Sequence, residues 1–266
     1  MTAYICATCG TQFTPSEQAP ERCPICDDER QYVGWSGQRW TTLQELRRDH
    51  RTEIHYDMGL IGIGTEPSFA IGQRALLVQT QEGNLMWDCI TMLDDSAVEA
   101  VRTVGGIRAI AISHPHYYSS VVEWSQAFDA AVYLHAADRQ WVMHHDPAIE
   151  HWEGDVMPLW SGLTLIRAGG HFAGGTVLHH RDGAEGRGAL LSGDIIQVAQ
   201  DRRWVSVMYS FPNYIPLPAR TVDAIVAAVQ PFAFDRIYGA WWARNVESGA
   251  KEAVRRSAER YQQAIR

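Results

Sequence analysis

The 266-residue chain has one lysine, Lys251; its other basic residues are all arginine, a bias we attribute to genome composition and not to chemistry. No stretch approaches the ~18 uncharged apolar residues that a membrane helix needs. The opening residues Met1–Cys9 lack the basic-then-apolar layout of an export signal, so the expected location is cytoplasmic and no membrane partner is expected. Basic charge is also short: 23 basic residues face 31 acidic ones, a net of −8. That balance argues against a phosphate-backbone binder, which carries a basic patch or stripe. With 46% hydrophobic and 20% charged residues, the composition is globular and excludes disordered, collagen-like and coiled-coil classes.

Cysteine is scarce outside one place. Four of the five lie within the first 26 residues, as Cys6-Ala-Thr-Cys9 and Cys23-Pro-Ile-Cys26. Without an export signal, such crowding points to a metal and not to disulfides. Each CxxC turn presents two thiolates, and two turns complete a tetrahedral four-sulfur site; Gly10 and Pro24 suit the sharp knuckles. Residues 1–50 are therefore expected to form a small ribbon and linker, and residues 51–266 the main domain. The ribbon is similar to zinc ribbons and rubredoxins. That likeness implies a structural zinc, or iron as a one-electron site. Five arginines against seven acidic residues in 1–50 leave no footprint for nucleic acid. Such a clip is also a candidate for homo-oligomer contacts.

From Tyr56 onward, short apolar segments alternate with Gly and Thr-Glu-Pro turns. Met58–Ile63, Phe69–Gln73, Ala75–Gln79 and Asn84–Asp88 read as strands. Ser96–Thr103 reads as a helix capped by Ser96, and Ile107–Ser113 as a strand buried on both faces. Further helices are expected at Val121–Ala130, Ala219–Val229 and Val246–Ile265. Strands are expected at Ala131–Leu134, Val156–Leu159, Leu163–Arg167, Gly175–His180, Ala189–Ser192 and Asp235–Tyr238. The class is α/β or α+β with layered sheets.

Three places offer metal-capable side chains after a strand or glycine turn. They are Ser113-His114-Pro115-His116-Tyr117-Tyr118-Ser119, Gly169-Gly170-His171-Phe172-Ala173-Gly174-Gly175 and Leu190-Leu191-Ser192-Gly193-Asp194. In this order, His, His, His and Asp resemble the metallo-β-lactamase superfamily over roughly Tyr56 to Tyr238, with Leu85-Met86-Trp87-Asp88 as a further matching element. The resemblance implies a four-layered αββα sandwich with its metal site at one edge, preceded here by the ribbon. The family motif His-x-His-x-Asp-His is His114-Pro115-His116-Tyr117-Tyr118-Ser119 in this chain. Tyr118 and Ser119 thus replace second-metal ligands, and Trp241-Trp242 stand where a late histidine is usual. The implied site is mononuclear: His114, His116, His171 and Asp194 around one zinc or iron.

On that reading the chain is a metal-dependent hydrolase acting on a small ester, lactone, amide or thioester. Asp194 orients or deprotonates a water, and Tyr118 donates to a developing oxyanion or packs on the metal loop. Tyr117, Ser119, Trp204, Tyr209 and Trp241 are the expected pocket residues, and a small molecule is the expected partner. Two alternatives stay open: a mononuclear iron oxidoreductase using dioxygen, and a catalytically silent member that binds a metabolite or protein.

Overall fold

A computed structural model describes residues 1–265. The chain forms two compact units, Met1–Leu134 with Arg139–His151, and His135–Asp138 with the residues from Trp152 onward.

In the first unit, β1 (Ile5–Cys6) pairs antiparallel with β2 (Trp40–Thr41) beside the cysteine knuckles. Helix α1 (Pro24–Asp27) starts on Pro24, at the position where a missing N–H costs nothing. Helix α2 (Leu43–Asp49) is capped by Thr42, whose side chain accepts from the Glu45 amide at 3.1 Å. A seven-stranded sheet follows in the order β3 (Arg51–Asp57), β4 (Leu60–Glu66), β5 (Ala75–Val78), β6 (Leu85–Trp87), β7 (Ala109–Ala111), β8 (Ala131–His135) and β9 (Ile149–Trp152). Strands β3 to β6 run antiparallel, whereas β6, β7 and β8 are parallel neighbours. Parallel pairs need long crossovers, and α3 (Asp95–Thr103) and α4 (Val121–Phe128) supply them. Strands β5, β6 and β7 are buried at every residue, as continuous apolar runs require.

Three local expectations change here. The cap of α3 is Asp94 and not Ser96: Asp94 Oδ1 accepts from the Ala97 amide at 2.8 Å, and the Ser96 hydroxyl donates to that same oxygen at 2.7 Å. Phe69–Gln73 is a turn, closed by Gly72 N–H to Phe69 C=O at 3.0 Å, with Ala70 and Gly72 in left-handed conformations that a strand excludes. Strand β3 escapes pattern reading because it is an edge strand with no fully buried residue.

In the second unit, β10 (Val156–Pro158), β11 (Leu163–Arg167), β12 (Thr176–His180) and β13 (Ala189–Gly193) form an antiparallel meander. A tight turn, labelled α5 (Gly183–Gly186) although Ala184 and Glu185 are left-handed, lies in the β12–β13 loop, and two ribbons follow: β14 (Gln197–Val198) with β15 (Val205–Ser206), and β16 (Met208–Ser210) with β17 (Ile215–Pro216). Helix α6 (Ala219–Val229) then leads to β18 (Arg236–Gly239), parallel to β13, and β19 (Asn245–Val246) closes the six-stranded sheet. Helix α7 (Ala250–Ala264) starts later than the sequence suggests, because Val246 pairs with Ile237 in the sheet. The core joins Ile166, Val177, Leu190 and Ile237 from strands to Val222, Ile225, Val229 and Val254 from α6 and α7. Val222, Ile225 and Val229 sit at the i, i+3, i+7 spacing that makes one apolar face of α6.

Candidate metal centres

The four N-terminal cysteines converge. Cys6, Cys9, Cys23 and Cys26 each place Sγ within 4.8 Å of the other three, and all four are buried. None is in a disulfide. The closest pairs, Cys6–Cys26 at 3.6 Å and Cys9–Cys23 at 3.7 Å, match the edge of about 3.8 Å that tetrahedral Zn–S bonds of ~2.3 Å imply. Hydrogen bonds from Cys23 and Cys26 hold the Cys6 thiol far below the usual range. Hydrogen bonding to Cys23 pushes Cys9 and Cys26 up. A cation at the centre of the four sulfurs would allow all of them to ionise. Gln38 Nε2 donates to Cys6 Sγ at 3.2 Å, and Cys9 Sγ lies 3.4 Å from the Thr11 hydroxyl.

The His114–Ser119 loop belongs to the same unit. It leaves β7 and winds through one 3₁₀ turn, Pro115–Tyr117, which places the rings of His114 and His116 5.1 Å apart. Both are buried. The Ser113 hydroxyl sits 2.9 Å from His114 Nδ1. With Nδ1–H as donor, the lone pair stands on Nε2, the arrangement of a metal-ligating imidazole. Ser113 is itself fixed by Asp88 at the end of β6: its amide donates to Asp88 Oδ1 at 2.8 Å, and its hydroxyl bonds the same carboxyl. Burial pushes Asp88 up to about 7, against the opposing pull of Ser113's two hydrogen bonds and the Arg74 charge. Tyr117 lies fully buried with its ring 4.4 Å from that of His114. Tyr118 is buried at the end of the turn. Ser119 does not present an open hydroxyl: it accepts from Gln73 Nε2 at 3.0 Å and donates to Cys89 C=O at 3.3 Å.

In the second unit, His171 is buried in the glycine-flanked loop between β11 and β12. Its Nδ1 faces two carbonyl oxygens, of Tyr209 at 2.7 Å and Met208 at 3.2 Å. A carbonyl only accepts, so Nδ1 carries the proton and Nε2 the lone pair. Asp194 is buried directly after β13, past the irregularity between Leu191 and Gly193. Of the expected pocket residues, Tyr209 contributes its carbonyl to His171 and its ring to the unit's core. Trp204 is half-buried under the guanidinium groups of Arg260, at 3.7 Å, and Arg256, at 5.5 Å, both on α7. Trp241 lies in the β18–β19 turn, its carbonyl accepting from the Arg244 amide at 3.1 Å.

No protein-family model matches this chain. An uncharacterized protein of Bacillus subtilis (strain 168), YmaE, is 48% identical over 272 residues, covering 100% of this chain and 97% of its own length. The chain belongs to the YmaE family. Among solved structures, the metallo-β-lactamase FIM-1 from Pseudomonas aeruginosa, in a mono-zinc form, matches with TM-score 0.59 and 14% identity over 80% of this chain and 96% of that one. VMB-1 matches with TM-score 0.61 and 10% identity over 81% and 99%. The metallo-β-lactamase DIM-1, exposed to ceftazidime, gives 0.57 and 10% over 79% and 97%. Identities this low establish the fold alone, and that fold is the metallo-β-lactamase fold that the resemblance at the His and Asp motifs implies.

Several partners in this YmaE-family chain were not legible beforehand. Gln73, which holds Ser119, sits in a stretch that reads as a strand. Ser113 adjoins the histidine pair, and that adjacency was its only signal.

Proposed function

We propose that this chain is a metal-dependent hydrolase with two metal centres: a structural zinc on Cys6, Cys9, Cys23 and Cys26, and a single catalytic ion on His114, His116, His171 and Asp194. The supporting observation is the tautomer of the imidazoles that can each offer one ring nitrogen to an ion. His114 is bonded at Nδ1 by Ser113, and His171 is committed there to two carbonyls, so each turns Nε2 to ligation. A bound ion supplies a Lewis acid that lowers the pKa of ligated water to about 7 and polarises a carbonyl.

The rest falls to the chain's own groups. Asp194 takes or orients the proton of the attacking water, and Tyr118 donates its phenol to the oxyanion. Ser119, held by Gln73 and the Cys89 carbonyl, is not a ligand, which supports one ion over two. The substrate class is a small ester, lactone, amide or thioester. Nucleic acid is disfavoured by the net charge of −8.

The test is metal content by plasma mass spectrometry, with a panel of chromogenic esters, lactones, amides and thioesters. Wild type is expected to hold two equivalents, His116→Ala one and Cys6→Ser/Cys9→Ser at most one, and hydrolysis to vanish with His116→Ala. An unchanged metal count in His116→Ala, or hydrolysis that survives it, would refute the reading. An iron equivalent lost with His116→Ala would move the chemistry to oxygen.

A further inference from the structure

The chain leaving the first cysteine knuckle is hydrogen-bonded straight onto the loop that carries His114 and His116, within one unit. The knuckle closes through Gly10 N–H to Cys6 C=O at 2.8 Å and Cys6 N–H to Thr11 C=O at 3.0 Å. The next amide, of Gln12, donates to the Ser119 carbonyl at 2.9 Å. Ser119 is the residue of that loop most in need of support. Its φ of +46° is left-handed, a conformation non-glycine residues hold only when the surroundings impose it.

The knuckle is seated from its other side as well. The Thr91 hydroxyl donates to the Gly10 carbonyl at 2.8 Å. Gly10 has φ +82°, and a methyl group there would collide with that hydroxyl, so only glycine allows this approach. The same short segment, Ile90–Thr91, accepts from the Ser120 hydroxyl at 2.7 Å and from Trp124 Nε1 at 3.1 Å, fixing the start of α4. The Gln12 side chain adds a bond from Nε2 to Glu123 Oε1 at 3.1 Å, and its Oε1 accepts from His144 Nδ1 at 3.0 Å.

We infer that the four-cysteine centre is the buttress of the histidine loop, with Gln12 as the positioning residue that transmits it. A segment this short has little core of its own and takes its order from a metal. Metal loss therefore releases Gln12, and with it the backbone conformation in which His114 and His116 are presented. This rests on the cysteines holding a metal and not on the hydrolytic reading.

Hydrogen exchange followed by mass spectrometry on the full chain tests it, with metal content measured on each sample. Cys23→Ser removes the centre, Gln12→Pro deletes the donating amide while sparing every cysteine, and Thr91→Val deletes the seat under Gly10. Exchange at the Tyr117, Tyr118 and Val121 amides is expected to rise about tenfold or more in Cys23→Ser and Gln12→Pro. Strands β11 and β12 should stay as protected as in wild type. Gln12→Pro should keep its cysteine-bound metal, with less metal at the histidines.

Wild-type protection of the loop in a Cys23→Ser chain that has lost the metal overturns the inference. Wild type lacking cysteine-bound metal overturns it too, and leaves the hydrolytic reading untouched. Should Cys23→Ser lose protection throughout, Gln12→Pro and Thr91→Val decide: a loosened loop with the cysteine metal retained supports it, and an unchanged loop overturns it.

Discussion

Ser113 and Asp88 set the geometry of the proposed histidine centre without serving as ligands. Ser113 orients the His114 ring, and Asp88 holds Ser113 by both amide and hydroxyl. Outer partners of this kind are worth about 10–100-fold in metal affinity. Ser113→Ala should therefore weaken binding at the histidines by that factor and leave the cysteine centre unchanged, which competition with a chromogenic chelator measures. Asp88 makes a separate prediction about pH. Its folded pKa, about 7, lies above the unfolded carboxylate value of about 4. The protonated form is thus favoured on folding, and stability falls as pH rises from about 4 through about 7. In urea unfolding of the metal-free protein at pH 5 and pH 8, Asp88→Asn should gain on wild type at the higher pH. An equal difference at both values would contradict this.

Elements are fixed by caps and crossovers more than by propensity. Asp94 caps α3 and also accepts from the Thr52 amide of β3 at 2.8 Å, tying a helix to the sheet edge. Its loss in Asp94→Ala should cost about 1–2 kcal/mol in a denaturant titration. Burial works to raise the Asp94 pKa, but hydrogen bonds from Ser96, Thr52 and Ala97 outweigh it and hold the carboxyl below its ordinary value. A depressed carboxyl stabilises above its unfolded pKa. The gap between wild type and Asp94→Ala should accordingly close as pH falls below about 4. Pattern reading found the β5, β6 and β7 segments because strands buried on both faces read as unbroken apolar runs. It mistook Phe69–Gln73 because the apolar run Phe69-Ala70-Ile71 does not announce left-handed turns at Ala70 and Gly72. It placed the cap of α3 two residues late because Asp94 and Ser96 are both good caps, and only the backbone path chooses between them.

For the whole molecule, metal at the proposed centres would add to stability. Ligands that bind only the folded state raise its stability by mass action. Removing metal with a strong chelator should lower the melting temperature, and Cys6→Ser/Cys9→Ser should reproduce part of the loss, as read by scanning calorimetry. A melting temperature indifferent to chelator would contradict metal at either centre. The acidic balance makes a further whole-molecule prediction: no retention of duplex DNA in filter binding at physiological salt. Among the described residues no helix is long and apolar enough to cross a membrane.

The sequence by itself determined the four-cysteine set, the alternation of strands and helices, and the spacing of His114, His116, His171 and Asp194. Each is a local pattern: two CxxC turns, unbroken apolar runs, histidines two residues apart. Tertiary structure decided what spacing does not encode. It chose Asp94 over Ser96 as a cap and turned His171 Nδ1 toward the carbonyls of Met208 and Tyr209. It also spent the Ser119 hydroxyl on Gln73 and the Cys89 carbonyl, and set the Gln12 amide against the Ser119 carbonyl. The bonds of His171, Ser119 and Gln12 join residues 30–107 positions apart. Hydrogen-bond partners so distant in sequence are selected by how the chain packs, and no periodicity records them.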